Sequence, residues 1–327
     1  MTRADQWLGN SEKEFWEKTS ANPSDYDDSL DYVINKLLKY KRPFIALKCL
    51  NWVIHNKETV DFNHCVQALN DAVSQQDEMS SMDVHYIQQI IKFLQTNKDV
   101  SEDSLINIEW TYLSLLGHEN VIAPSALESK LAMDSNFFCE MIQLIYQSEN
   151  EDKKNQDVSK VEKTMAVNAF RLLHNWKIVP GTNSDEKFNQ EMFVDWFDEV
   201  IKSCSESGHL NVALTTIGGV LIYSPNDPNG LWINKKIAEK LNDVNFEKLR
   251  RGYAIGKFNS RGVHWIDPTG KAEKDLATEF KEKAETVENA GFQRFAKTLR
   301  GMADNYQTDA QRIIDEHLDS DSGNSEE

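Results

Sequence analysis

Apolar residues recur at helical spacing along almost all of this 327-residue chain, and only 14 glycines and 7 prolines interrupt them. A helix turns once every 3.6 residues or so, so apolar positions three and four apart form a stripe that has to be buried. Leu30, Val33, Ile34, Leu37 and Leu38 make the first stripe, over about 27–40. Pro43 suits the first turn of a second helix, where its missing N–H is of no consequence. Phe44, Ile45, Leu47, Leu50, Val53 and Ile54 then give that helix a face wide enough to be largely buried. Phe62, Val66, Leu69 and Val73 mark a third helix, and Val84, Ile87, Ile91 and Leu94 a fourth. A fifth starts after Ser101, with Glu102 and Asp103 complementing the positive end of the helix dipole, and Gly117 is expected to end it. Segments 125–133 and 135–146 complete the first half.

The second half repeats the style, with helices expected near 161–176, 190–207, 210–223, 231–241 and 246–253. Turn formers crowd 180–189 and 224–230. The stretch 256–270 is expected to be an irregular loop, since two glycines and a proline fall within FNSRGVHWIDPTG, 258–270. From Lys271 the helical period returns, pauses at Asn289-Ala290-Gly291 and resumes, which predicts a helical hairpin turned at Gly291. So sparse a supply of turn residues excludes a sandwich or barrel built of short strands. The fold class expected is all-α, with amphipathic hairpins stacked as an α-solenoid of tetratricopeptide or HEAT style. The polar run 148–160 is read as the linker between an N-terminal helical region, 1–147, and a C-terminal one, 161–318. The acidic tail 319–327 is expected to be disordered.

A net charge of -17 disfavours nucleic acid and anionic lipid as partners. No apolar run approaches the roughly 18 to 20 residues of a membrane span, and the first residues lack the plan of a signal peptide, so a cytoplasmic location without membrane contact is expected. The four cysteines, Cys49, Cys65, Cys139 and Cys204, form no CxxC pair and read as core residues. His55, His64 and Cys65 come nearest to a metal constellation but lack a fourth ligand, so no metal is expected. Asp275, Glu279 and Lys281 spell a nuclease-like D-x3-E-x-K. In a helix, however, positions i and i+2 point apart, and the trio reads as a solvated face. Phosphate loops, nucleophile elbows and zinc helices are missing, so neither an enzyme nor a cofactor is expected.

Two local features point to binding. Between Glu247 and Lys274, seven cations face three carboxylates and are interleaved with Tyr253, Phe258, Trp265 and four glycines. Arg250, Arg251, Arg261, His264 and Trp265 are the candidates there for holding a nucleotide or nucleic-acid phosphate, with arginine giving forked contacts and the ring a stacking surface. Trp7, Phe15 and Trp16, near a polar N-terminus, are the candidates for docking a protein partner.

RPFIALKCL (42–50), SESGHLNVAL (205–214), SPNDPNGLWI (224–233) and the long run 258–306 resemble the helical C-terminal regions of very large bacterial proteins, of the kind found in mobile or anti-phage defence loci. The resemblance implies a repeat scaffold or sensor that contacts a larger catalytic or NTPase subunit. It carries over no catalytic residue. The expectation is therefore a non-catalytic interaction scaffold, with a phosphate-binding regulatory module as the alternative.

Overall fold

A computed structural model describes residues 11–26, 29–56, 59–117, 122–150, 159–183, 185–262 and 267–323, apart from the side chains of 76–78 and 318–323. Among these residues the chain is all-helical, with fifteen α-helices and a few short 3-10 segments. The only β-type pairing among them is two isolated bridges. No helix among them is long and apolar enough to cross a membrane. The chain divides into two compact units, 1–128 and 129–327.

The first unit holds α1 (Glu12–Lys18), α2 (Leu30–Lys39), α3 (Pro43–His55), α4 (Phe62–Ala72), α5 (Ser81–Thr96) and α6 (Glu102–Thr111). Pro43 opens α3 in its first turn, and α3 packs against α2, α4 and α5 through Ala46, Leu47, Cys49 and Leu50, all at or below 1% exposure. Side-chain oxygens mark the helix starts. Ser80 and Asp83 form a reciprocal capping box at α5, and Ser101 accepts the Ser104 N–H at α6. Helix α6 stops at Thr111, short of Gly117, and a 3-10 turn follows over Leu113–Leu115. Gly117 instead donates its N–H to the Ile122 carbonyl, closing a bridge.

A hydrogen-bonded carboxylate is sealed inside this unit. Glu109 on α6, fully buried, accepts hydrogen bonds from Gln95 Nε2 (2.6 Å), the Ala126 N–H (3.2 Å) and the Leu127 N–H (2.9 Å). It thus serves the first, otherwise unpaired amides of α7 (Ser125–Met133) from another helix. Burial pushes its pKa up to about 7, against the downward pull of these three donors.

The division falls inside α7, whereas the sequence pattern places a linker at 148–160. The reason is the helix after it, α8 (Ser135–Ile145), which buries Phe138, Cys139, Met141 and Ile142 against α9 (Lys160–Asn175) and α10 (Gln190–Ser207). The polar run therefore connects two helices of one core, and its residues 151–158 lie outside the described ones.

The second unit continues with α11 (Leu210–Val220), α12 (Lys235–Asn242), α13 (Glu247–Asn259), α14 (Lys271–Asn289) and α15 (Gln293–Gly323). Helix α12 begins later than expected because Asn234 caps it, while Trp232 turns its indole N–H to Thr286 Oγ1 at 2.9 Å. Helices α14 and α15 form the expected hairpin, turned at Gly291 with φ +95°. The backbone of α15 runs on to Gly323, into the tail expected to be disordered.

Helix α13 departs most from expectation, running through Gly256 to Asn259 where a stop near Tyr253 and a loop from 256 are predicted. Its glycines are a contact surface. A Cβ on Gly252 would lie 2.1 Å from the Thr215 carbonyl oxygen, and one on Gly218 of α11 would lie 2.1 Å from that of Leu249. Helices α11 and α13 thus touch backbone to backbone, which only a residue without a side chain permits.

Candidate functional site

The far side of α13 is open. Leu249, Gly252 and Tyr253 face inward, whereas Arg251, Ile255 and Phe258, spaced i, i+4 and i+7, face solvent. Ile255 is 42% exposed and Phe258 59%. Between this stripe and α15 lies a groove of about 470 Å³, lined by Ala254, Ile255 and Phe258 from one helix and Met302, Asn305, Tyr306, Thr308 and Asp309 from the other. Most of the lining is apolar, with the Asn305 amide, the Tyr306 and Thr308 hydroxyls and the Asp309 carboxylate as its polar groups.

The groove wall is fixed from behind. The Tyr306 ring stacks on Phe280 at 5.6 Å with a 16° tilt, and burial pushes its hydroxyl pKa up. The Arg261 guanidinium lies 5.3 Å from the same ring centroid and donates to Glu273 Oε1 at 3.0 Å. Lys257, half-buried between the faces of α13, has its pKa lowered, first by loss of solvent and then by Lys283. Met302 and the rigid Tyr306 can take up an apolar side chain, and Ile255 and Phe258 can cover it.

The candidate phosphate ligands are drawn apart. Arg250 turns back to the C-terminal end of α12, donating to the carbonyls of Leu241 (3.0 Å) and Asp243. Desolvation there lowers its pKa. Arg261 is held by Glu273 and Tyr306, and Arg251 stands exposed on the outer face of α13. His264 and Trp265 lie outside the described residues. The two guanidiniums most enclosed by protein therefore serve different internal partners, and the described part of the stretch assembles no common anion site.

The N-terminal candidates also separate. Trp7 lies outside the described residues. Phe15 is 37% exposed, but Trp16, at 2%, is driven into the first unit's core, edge-on to Tyr32 at 6.2 Å. Its large apolar area is thus spent on folding. His55 bonds the Asn51 carbonyl, His64 faces Asp31 at 3.5 Å, and Cys65 is buried. Among the described residues no three potential ligands gather as a metal site. Asp275, Glu279 and Lys281 sit on the helix α14, where Glu279 pairs with Lys283 one turn on.

The groove is not legible in the sequence because its two walls lie in separate helices, at 254–258 and 302–309, and the sequence pattern predicts an end to α13 before Ile255. The available signal was Ile255 and Phe258 at i, i+3, following on from the Gly252-x3-Gly256 spacing. No family model matches the chain, and neither a curated protein nor a solved structure is significantly similar to it.

Proposed function

We propose that this protein is a non-catalytic helical interaction module, and that the groove between α13 and α15 receives the apolar face of a helix from a protein partner. The observation that carries this reading is the exposure of Ile255 and Phe258 at the rim of an apolar cavity of about 470 Å³. Exposed anchors beside a preformed trough are how an amphipathic helix is captured in a groove. Arg251, on the same stripe, supplies a cation at the rim and favours a partner helix flanked by carboxylates.

A stacked-hairpin scaffold accommodates the same reading. Four contacts of α7, α8 and the residues beyond with α10 and its successor join positions 63 to 65 apart: Leu131 with Trp196, Ser135 with Glu199, Cys139 with Cys204, and Tyr146 with His209. A constant offset between parallel helices is what a helical repeat produces. The resemblance to defence-associated scaffolds suggests the class of partner, a larger catalytic or NTPase subunit.

The test is site-specific photocross-linking in the native host, with the probe at Phe258, at Val167 on the exposed face of α9, or at Val244. A discrete protein adduct from position 258 alone is expected. Adducts from 167 but not 258, or the same products from all three positions, would move the interface elsewhere.

A further inference from the structure

Four cysteines with no CxxC spacing read as inert core residues, but folding brings two of them together. Cys139 on α8 and Cys204 on α10 are 65 positions apart, and their Sγ atoms lie 3.6 Å from one another, both buried. Their helices run parallel in a register fixed on either side of the pair. Ser135 Oγ donates to Glu199 Oε2 at 2.5 Å on one side, and His209 Nε2 lies 3.0 Å from the Tyr146 carbonyl on the other. The pair is thus held in line between two polar clamps that bracket the closing motion.

We infer that Cys139 and Cys204 are an oxidation site, a dithiol that peroxide closes to a disulfide joining α8 to α10. A disulfide bond is about 2.05 Å long, so the sulfurs need approach by only ~1.5 Å, within reach of side-chain rotation and a small helix shift. The two sulfurs are chemically distinct. The two thiols share a hydrogen bond in which either sulfur can donate, and that bond lowers the pKa of Cys204 and raises that of Cys139. Cys49 and Cys65 in the first unit have no such donor, and burial pushes them up to about 11 and about 12.

The chemistry balances with hydrogen peroxide as oxidant. The Cys204 thiolate attacks one peroxide oxygen, the O–O bond breaks, and the departing hydroxide takes the proton that Cys204 lost, becoming water. The Cys139 sulfur, giving up its proton, then attacks the sulfenic sulfur of Cys204. The S–S bond forms as the S–O bond breaks, and the second hydroxide leaves as water. Two thiols and one peroxide become one disulfide and two waters.

The experiment exposes the full-length reduced protein to hydrogen peroxide, then labels it with a maleimide in denaturant and maps it by mass spectrometry without reductant. Labelled thiols should fall from four to two, with a peptide linked through 139 and 204, and dithiothreitol should restore all four. Cys204→Ser should keep its three thiols through the same exposure. The wild-type map decides the matter even if that variant folds poorly. Four labelled thiols after peroxide, a link that includes Cys49 or Cys65, or sulfinic acid without a link would each overturn the assignment.

Discussion

The inner and outer faces of α13 carry opposite chemistry on the same thirteen residues. Inward, Gly252 and Gly256 press the helix against the backbone of α11, a Cβ at Gly256 falling 2.7 Å from the Gly219 Cα. Outward, Arg251, Ile255 and Phe258 stand in solvent beside the groove. Arg250, in the first turn of the helix, and Arg261, just past its end, tie it to α12 and to Glu273 of α14. In sequence the glycines, arginines and aromatics are intermingled and look like one ligand-binding mixture. Once coiled, the period of the helix sorts them into a contact, two anchors and an open face.

The comparison breaks most forcefully at the contact. Gly252→Val places branched carbons against the Thr215 carbonyl, where backbone, unlike a side chain, has nowhere to relax. The helices must separate, and the expected loss is ~3 kcal/mol or more, at the upper end of overpacking. Hydrogen exchange should show lost protection over 210–220 and 247–259, with 43–55 in the first unit unchanged. Unaltered protection over α11 and α13 would mean that the two backbones do not touch.

The anchors come next. Arg261→Ala removes one cation from beside the Glu273 carboxylate, 3% exposed, and should cost about 3 kcal/mol, the lower end for a disrupted buried pair because Arg261 itself is partly solvated. A double-mutant cycle with Glu273→Ala separates this from lost packing on Tyr306, since coupled partners are not additive. Full additivity in urea unfolding would show that the pair contributes nothing jointly. Arg250→Ala removes two bonds to carbonyls at the end of α12, together with a cation well placed for that helix's dipole. About 1 to 2 kcal/mol should go, with fraying confined to 235–242 in hydrogen exchange.

How much of this was legible depended on whether the cause was local. Pro43, Ser101, the segment 125–133 and the Gly291 turn were readable because a start, a stop or a stripe is decided within a few residues. The length of α13 was not, because glycine lowers helix propensity locally and only the partner helix, 34 positions earlier at Gly218, shows that its small size is used for packing. Glu109 sits in a helix as one carboxylate among many, and its burial depends on Gln95 and on the free amides of α7. Cys139 and Cys204 meet through a register set by the whole α8–α10 contact, and the groove needs α15, so no short window of sequence contains any of them.

The open face should give the smallest change in stability. Phe258 is 59% exposed and Ile255 42%, so truncating either to alanine removes little buried area, and the unfolding free energy should stay within about 0.5 kcal/mol. If the face is a docking site, binding must respond where stability does not. An aromatic anchor at the centre of an interface is commonly worth about 2 kcal/mol, some thirtyfold in affinity, whereas a rim cation such as Arg251 acts chiefly on the association rate. Once a partner is cross-linked from position 258, its affinity for Phe258→Ala and Arg251→Ala at two salt concentrations distinguishes these roles. A large, salt-insensitive loss at 258 with a modest, salt-dependent one at 251 is expected. Equal, salt-dependent losses at both would mean that charge, not the groove, holds the partner, whereas a large fall in stability for Phe258→Ala would return that ring to the core.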